Sequence, residues 1–438
     1  MAGAMDLASS TSTPATDGST MAAQVTPALR QQIRDVTQRA RAAGAVLFYP
    51  STATWHPAAT TATATAPRFQ VRLCPSLGSK PVGGFTAQSR PGETPSPFLP
   101  PDPASLVASF DEWNLVLNKY CVTPGHVLLT RSTYATQGEP LSSAALRLVT
   151  QLLALWPREG DAVAFYNAGW RSGASVLHQH VQIMPFLAGD TADDRHLAAD
   201  APWATAPSNG ATTPSDAAIP STALPLLQWI AHGLTHDAAA AAAWSRAATA
   251  TTPAPITFAT LPFVHRVVRL PGPCDGATTP PPPAATLDLG AAYAAAVAGI
   301  TADVDAYVAA LARALPPPAA LPAWAQARRA GEALSYNVVM TRHVLLVAPR
   351  RASHTRAPHR FGVNALGFAG MLLGKEPAAC ATLASLGIFR VLTEVGVPTA
   401  IETELAELQA TPSAVTLPPE TDGCGGAARR ESATHHAP

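Results

Sequence analysis

Charge is scarce in this 438-residue chain: 13% of residues are charged, and 29 basic side chains balance 29 acidic ones. A pI near 7.2 provides no overall basic field, which argues against a general affinity for nucleic-acid backbone or anionic membrane. A small anion held locally remains compatible with it. Cysteine is sparse as well. Cys74, Cys121, Cys274, Cys380 and Cys424 stand singly, without a CxxC pair, which argues against a disulfide framework and a Cys-based structural zinc. A reducing, cytoplasmic location fits best, with nucleus and plastid left open. No window holds eighteen uninterrupted apolar residues, because Pro, Thr, Asp or Arg break the Ala-rich stretches, so the sequence predicts a soluble chain. Residues 1–24 contain two Asp and no Arg or Lys, unlike a secretory signal or an Arg-rich transit peptide, and read as a disordered tail. Lysine is scarcer still, occurring only as Lys80, Lys119 and Lys375.

What the chain has in excess is Ala, Thr, Pro and Gly, concentrated locally. Residues 50–67, 187–222 and 271–285, and the tail after about 417, have this composition and read as solvated insertions or linkers. Between them lie patterned segments. Val25, Leu29, Ile33 and Val36 recur at helical spacing, and the run Ala45 to Tyr49 that follows is strand-like. Leu115 to Arg131 reads as two strands around Thr123-Pro124-Gly125, a turn that folds the chain back. A helix over Leu146 to Leu155 and strands over Ala162 to Asn167 and Leu177 to Pro185 follow, the last closed by a proline that cannot donate to a central ladder. Tyr336 to Pro349 again reads strand, turn, strand, and repeats the HVLL of His126 to Leu129 at His343 to Leu346. A second, related half is therefore an open possibility. Asn364 to Leu373 and Thr382 to Thr393 read as helices. The expectation is an α+β fold: an antiparallel sheet flanked by helices, with a catalytic half over 25–186, a second half over 223–400, and a tail over 401–438.

The chemistry concentrates at Ser172 to Pro185, SGASVLHQHVQIMP. Side chains alternate along a strand, so His178, His180 and Gln182 share one face. The loop Ser172-Gly173-Ala174-Ser175 just before them is built of small residues whose backbone N–H groups and hydroxyls could approach phosphate oxygens closely. Loop plus histidine row points to phosphoryl or nucleotidyl transfer. A neutral imidazole can attack phosphorus when its other ring nitrogen is held as N–H. On the residues alone, a metal site completed from elsewhere and a pair without a role stay open. His126 and His343 read as partners of turn backbone. The three lysines, each in a patterned segment of a chain that otherwise uses Arg, weigh toward polyphosphate, which suits a compact point charge.

The segment FYNAGWRSGASVLHQHVQIMP resembles the active-site segment of the diadenosine tetraphosphate (Ap4A) phosphorylases, also called ATP adenylyltransferases, a histidine-triad branch whose third triad member is glutamine. LGSKP, SPFLPPD, LNKYCVTPGHVLLTR, LPFVHR, SYNVVMTRHVLLVAPRR and NALGFAGMLL resemble further segments of that family in the same order, from about Val25 to about Val397. The resemblance implies a histidine-triad type of sheet in two related halves. His180 is similar to the family's nucleophile, which takes AMP as an adenylyl-histidine and releases ATP before phosphate attacks to give ADP. His178 would orient the site and Gln182 would contact the α-phosphate. Gly173, Ala174, Ser175 and Asn167 match the phosphate and ribose loop, Lys80 a phosphate-contacting lysine, and Asn118 and Lys119 the nucleotide-side strand. Asn337, Thr341 and Lys375 are matched in the second half. The implied ligands are diadenosine polyphosphates, ATP, ADP and phosphate, with no nucleic acid or membrane partner. No cofactor is implied beyond Mg²⁺ carried by the polyphosphate. Val176-Leu177, Ser96 and Trp170-Arg171 depart from the family's pattern. The related alternative is transfer or phosphorolysis of a sugar nucleotide, although the zinc-binding uridylyltransferases usually carry a CxxC pair that is missing here. A non-catalytic nucleotide-binding protein is the other class.

Overall fold

Among the described residues thirteen strands make up the sheets: β1 (Leu47–Phe48), β2 (Thr52–Pro57), β3 (Arg68–Leu73), β4 (Leu106–Ser109), β5 (Trp113–Leu117), β6 (Tyr120–Cys121), β7 (Val127–Arg131), β8 (Ala162–Ala168), β9 (His180–Pro185), β10 (Arg266–Arg269), β11 (Ser335–Met340), β12 (Val344–Arg350) and β13 (Met371–Gly374). They belong to a computed structural model that describes residues 24–58, 67–79, 96–156, 160–185, 224–248, 250–270, 287–315 and 320–410. Most of the expected tails, the insertions at 187–222 and 271–285, and Lys80 lie outside these residues.

Eight strands form one sheet in the order β10-β12-β11-β8-β9-β7-β5-β4, antiparallel throughout. The two halves are therefore not separate domains. They meet where β8 pairs with β11, Asn167 opposite Asn337, so one ladder runs through both. Alternation along the strands divides the core. Leu115, Leu129, Tyr166, Val181, Ile183, Val338 and Val347 face one side, which is covered by helices Pro27–Ala42, Ser143–Leu153 and Leu289–Ala314. Val163, Phe165, Met184, Val339, Leu346 and Ala348 face the other, which is covered by helices Pro225–His236, Ala238–Ala247 and Ile388–Val395 and by a three-stranded sheet ordered β13-β3-β2.

Helix Leu289–Ala314 is 26 residues long with mean hydropathy 1.4, enough by length and composition to cross a membrane. Its stripe Leu289, Ala292, Tyr293, Ala296, Ile300, Val304, Val308 and Leu311 is buried in the core. Asp303 pairs with Arg266 of β10, and Asp305 pairs with Arg328 of the next helix, so its polar side faces protein partners as well.

Four expectations change, the first at the expected tail 401–438, whose residues Ile401–Ala410 form a helix packed against Leu289–Ala314. Residues 50–67 are not wholly an insertion, because Thr52–Pro57 pairs with β3 as β2. Asn364 to Leu373 is one helical turn, Ala365–Phe368, followed by β13. Gly370 at φ +90 ends that turn, a conformation L side chains avoid. The expected helix Thr382 to Thr393 is two helices, Pro377–Leu386 and Ile388–Val395, bent by 90° at Gly387.

His265, just before β10, donates Nδ1–H to the Phe263 carbonyl (2.8 Å) and accepts the Phe258 N–H at Nε2 (2.9 Å). Both nitrogens are committed in the neutral form, and burial pushes the pKa down to about 4. The unfolded imidazole titrates near 6.5 and binds more protons over that interval. This contribution to stability is therefore complete above about pH 6.5 and falls as pH drops toward 4, by about 3 kcal/mol. Urea midpoints measured across that range should decline in the wild type and decline less steeply in His265→Gln.

Candidate active site

The nucleophile candidate sits where the sheet is pried open. β9 lies between β7 and β8, with Thr130 opposite His180, but β8 pairs with β9 only as far as Phe165 opposite Gln182. Beyond that point the side chain of Gln137 occupies the gap. Its Nε2 donates to the Asn167 carbonyl (3.1 Å) and to the His180 carbonyl (3.2 Å), while its Oε1 accepts the His180 N–H (2.8 Å). A fully buried amide thus completes the backbone pairing of His180 and lets the chain from β8 leave the ladder as a loop.

His180 is 3% exposed, and its Nδ1–H donates to the carbonyl of His178 at 2.8 Å. The carbonyl can only accept, so the proton is fixed on Nδ1 and the lone pair on Nε2, the tautomer required for attack. His178 orients the candidate nucleophile through its main chain. Its ring Nε2–H donates to the Arg131 carbonyl (2.9 Å), and its Nδ1 has no hydrogen-bond partner among the described residues. Burial lowers the pKa of His178, outweighing the opposing effect of its bond to that carbonyl, and favours a neutral ring. Phe98 packs against both imidazoles, 5.8 Å from His178 and 5.4 Å from His180, and Tyr134 meets His178 edge-on at 5.4 Å. Gln182, two residues beyond His180 on the same face of β9, is half-buried.

The loop enters through Gly169 and the 3-10 turn Trp170–Ser172, then passes Gly173 at φ +81. Ser172 is buried, Gly173 and Ser175 are half-buried, and Ala174 is 8% exposed. A Cβ at Gly173 would meet the Val363 carbonyl at 2.5 Å, so only glycine lets the loop lie against that segment. The Ser172 carbonyl accepts from Asn337 Nδ2 and from Arg350, each at 3.0 Å. Asn167 Oδ1 accepts from the same Asn337 Nδ2 and from the Ala365 N–H, each at 2.9 Å. This brings Asn167, the loop and Asn337 together with the histidine row.

Several expected site residues have structural surroundings. Asn337 is fully buried, its amide donating to Ser172 and Asn167 and its oxygen accepting from Arg350, so it braces the loop from behind. Thr341 is also buried, and its hydroxyl accepts the His343 and Val344 N–H groups at the β11–β12 turn. Asn118 caps the corner after β5: its Oδ1 accepts the Tyr120 N–H, and its amide meets His126, whose ring lies 6.2 Å from Phe165. Lys119 is exposed, its ammonium 5.9 Å from the Tyr120 ring, and Lys375 is exposed just past β13.

The departures prove to be structural. Ser96 Oγ accepts the Phe98 N–H and so shapes the turn that carries Phe98, and the Leu177 carbonyl accepts the Gln137 N–H. Arg171 stacks on Trp170, pairs with Glu332 and donates to the Arg351 carbonyl, which ties the loop to the second half. Gln137, Phe98 and Arg350 were missed in the sequence. Nothing local marks Gln137 or Arg350, whereas Phe98 lies inside the resembling SPFLPPD segment.

A family model described as Ap4A phosphorylase N-terminal domain matches residues 20–198, and one described as ATP adenylyltransferase C-terminal domain matches residues 259–398. The chain belongs to the Ap4A phosphorylase (ATP adenylyltransferase) family. It is similar to diadenosine 5',5'''-P1,P4-tetraphosphate phosphorylase 2 of Saccharomyces cerevisiae, 33% identical over 132 residues, which is 27% of this chain and 39% of that protein. Protein APA1 of the same yeast is 37% identical over 114 residues, 25% of this chain and 36% of that one. These sequence matches span less than two-fifths of the curated relatives. In structure the chain is similar to yeast Ap4A phosphorylase Apa2 in complex with Ap4A, with a TM-score of 0.54, 20% identity, and 84% of this chain and 97% of that one covered. Apa2 in complex with AMP gives a TM-score of 0.52 at 20% identity, covering 86% and 98%. This likeness establishes the α+β fold of the family.

Gln137→Leu would keep the bulk of the wedge but leave the His180 N–H, the His180 carbonyl and the Asn167 carbonyl without their partner. The expected result is a loss of about 3 kcal/mol in urea unfolding, with faster amide exchange at His180.

Proposed function

We propose that the chain cleaves Ap4A with inorganic phosphate, giving ATP and ADP through a covalent adenylyl intermediate on His180. The observation that carries this reading is the His180 tautomer, fixed by the His178 carbonyl beside the small-residue loop Ser172 to Ser175. The names of the yeast relatives, and the Ap4A complex of one of them, support the choice of substrate.

In the first step the Nε2 lone pair attacks the α-phosphorus. An N–P bond forms, the bond from that phosphorus to the bridging oxygen breaks, and ATP leaves with the electron pair. The developing imidazolium keeps its Nδ1 proton on the His178 carbonyl, where the charge is stabilised. In the second step a phosphate oxygen attacks the same phosphorus, the N–P bond breaks, and ADP leaves while His180 returns to its starting tautomer. A polyphosphate leaving group needs little protonation, so Gln182 in place of a third histidine fits: its amide would donate to a non-bridging oxygen without supplying a proton. The N–H groups of Gly173, Ala174 and Ser175 would meet phosphate oxygens, and Lys80, matched by the resemblance to a phosphate-contacting lysine, would balance polyphosphate charge. No resident cofactor is needed; Mg²⁺ would travel with the substrate.

The test is to incubate the protein with Ap4A, with and without phosphate, separate the nucleotides, and weigh the intact protein. Phosphate-dependent ATP plus ADP and a transient AMP adduct are expected. His180→Ala should abolish the adduct and lower turnover by about 10⁴-fold or more. His178→Ala keeps the carbonyl that sets the tautomer and should lose about 10- to 100-fold. Equal losses at the two positions, or AMP plus ATP formed without phosphate, would refute the assignment.

A further inference from the structure

The second half mirrors the first. Tyr166-Asn167 on β8 recurs as Tyr336-Asn337 on β11, and the two asparagines are cross-strand partners, so an approximate two-fold axis runs between them. It relates β9 to β12 and β7 to β10, and it relates helix Ser143–Leu153, which joins β7 to β8, to helix Leu289–Ala314, which joins β10 to β11. The register then identifies counterparts. Phe165 pairs with Gln182 and Ser335 with Arg350; Asn337 pairs with Ala348. Arg350 therefore stands where the first half has Gln182, and Ala348 and Leu346 stand where it has His180 and His178. The second copy has no nucleophile.

We infer that Arg350 is a positioning residue for the Ser172–Ser175 loop, supplied by the inactive copy from the place of its triad glutamine. This rests on the reading that the loop receives phosphate. A guanidinium has five N–H donors. In Arg350 all five have acceptors: Nε bonds the Val395 carbonyl, one terminal nitrogen bonds the Ser172 carbonyl and Asn337 Oδ1, and the other bonds the Ala352 and Val363 carbonyls. None of these acceptors is a carboxylate. Burial lowers its pKa to about 9, so it remains a cation at neutral pH.

The consequence for the loop is geometric and electronic. Gly173 fits against the Val363 carbonyl, which Arg350 holds at 2.7 Å, while the same guanidinium holds the Ser172 carbonyl preceding Gly173 at 3.0 Å. Both walls of the slot that Gly173 fills are thus tied to one rigid fork. Hydrogen bonds from Arg350 and Asn337 to the Ser172 carbonyl also polarise the Ser172–Gly173 peptide, which strengthens the Gly173 N–H as a donor to an anion. A lysine would keep the charge but has three donors on a flexible stem and cannot span these acceptors.

The test compares full-length wild type, Arg350→Lys and Asn337→Ala by hydrogen exchange and by kinetics with Ap4A and phosphate. Positioning predicts that amides 172–175 exchange about tenfold faster in Arg350→Lys while β5 and β7 keep wild-type protection. It also predicts a raised KM for the dinucleotide, a lowered kcat and a fall of about 100-fold in kcat/KM, at a temperature where the variant is folded. Faster exchange spread over the whole sheet with wild-type kinetics per folded molecule would reveal a purely structural residue and overturn the proposal. If Arg350→Lys fails to fold, Asn337→Ala, which removes the other donor to the Ser172 carbonyl, must show the same local signature; unchanged loop exchange in it would overturn the clamp. A wild type that does not turn over Ap4A counts against the reaction assigned above, while loop exchange still decides the clamp.

Discussion

The pairing of β8 with β11 is the constraint on which the site depends. It makes the two halves one antiparallel ladder and sets Asn167 directly opposite Asn337. Because β8 continues into the small-residue loop and β11 turns into β12, this pairing also decides which side chains of the second half lie behind the loop of the first. A one-residue slip would reverse the faces of every residue on β11. The Asn337 amide would then point toward the helices and Tyr336 toward the loop. The hydroxyl contact between Tyr293 and Tyr336 at 2.7 Å, on the face covered by helix Leu289–Ala314, opposes that slip from the other side.

The central sheet is pried open at a cost. Strand separation between β8 and β9 leaves main-chain donors and acceptors of His180 and Asn167 without their ladder partners, and an unmet buried polar group costs about 1–3 kcal/mol. Gln137 offsets this with one side chain that both donates and accepts, which an apolar filler could not do. The gain is access. An imidazole in an intact central strand would be flanked by a neighbouring strand, whereas here the parting strands give way to a loop of small residues.

Much of this was legible in the sequence because it is local. Alternation placed His178, His180 and Gln182 on one face, and the proline-glycine turn at Pro124 and Gly125 marked the β5–β7 hairpin. The short Gly/Ser loop stood out by side-chain size. What the sequence hid is long-range. Gln137 lies 43 residues from His180, and Arg350 lies 178 from Ser172, and neither position carries a local motif. Composition misled at Thr52–Pro57, where an Ala/Thr-rich run still supplies the alternation of a strand. The HVLL repeat misled in a different way. It lies on β7 and β12, whereas the two-fold relates β7 to β10, so the shared tetrapeptide reflects what buried strands require and does not mark corresponding positions. The informative repeat was the shorter Tyr-Asn pair, whose two copies face each other across the axis.

The apolar residues in the matching row of the second half follow from the surroundings of their strand. In the first half the triad row lies beside the small-residue loop, and Gln182 at its end stays half-buried. In the second half the corresponding row is closed over by the Ile388–Val395 helix and the turn at Ala365–Phe368, where Leu346 and Ala348 join the apolar core. A histidine in that setting would need partners for both nitrogens, as His265 has, and would then have no lone pair for chemistry. Arginine is tolerated at the end of the same row because five acceptors converge there, and four of them are main-chain carbonyls whose positions do not depend on side-chain rotamers. The two halves are thus asymmetric: the first carries a row of histidines beside the loop, and the second ends the matching row in Arg350, which holds the backbone around that loop.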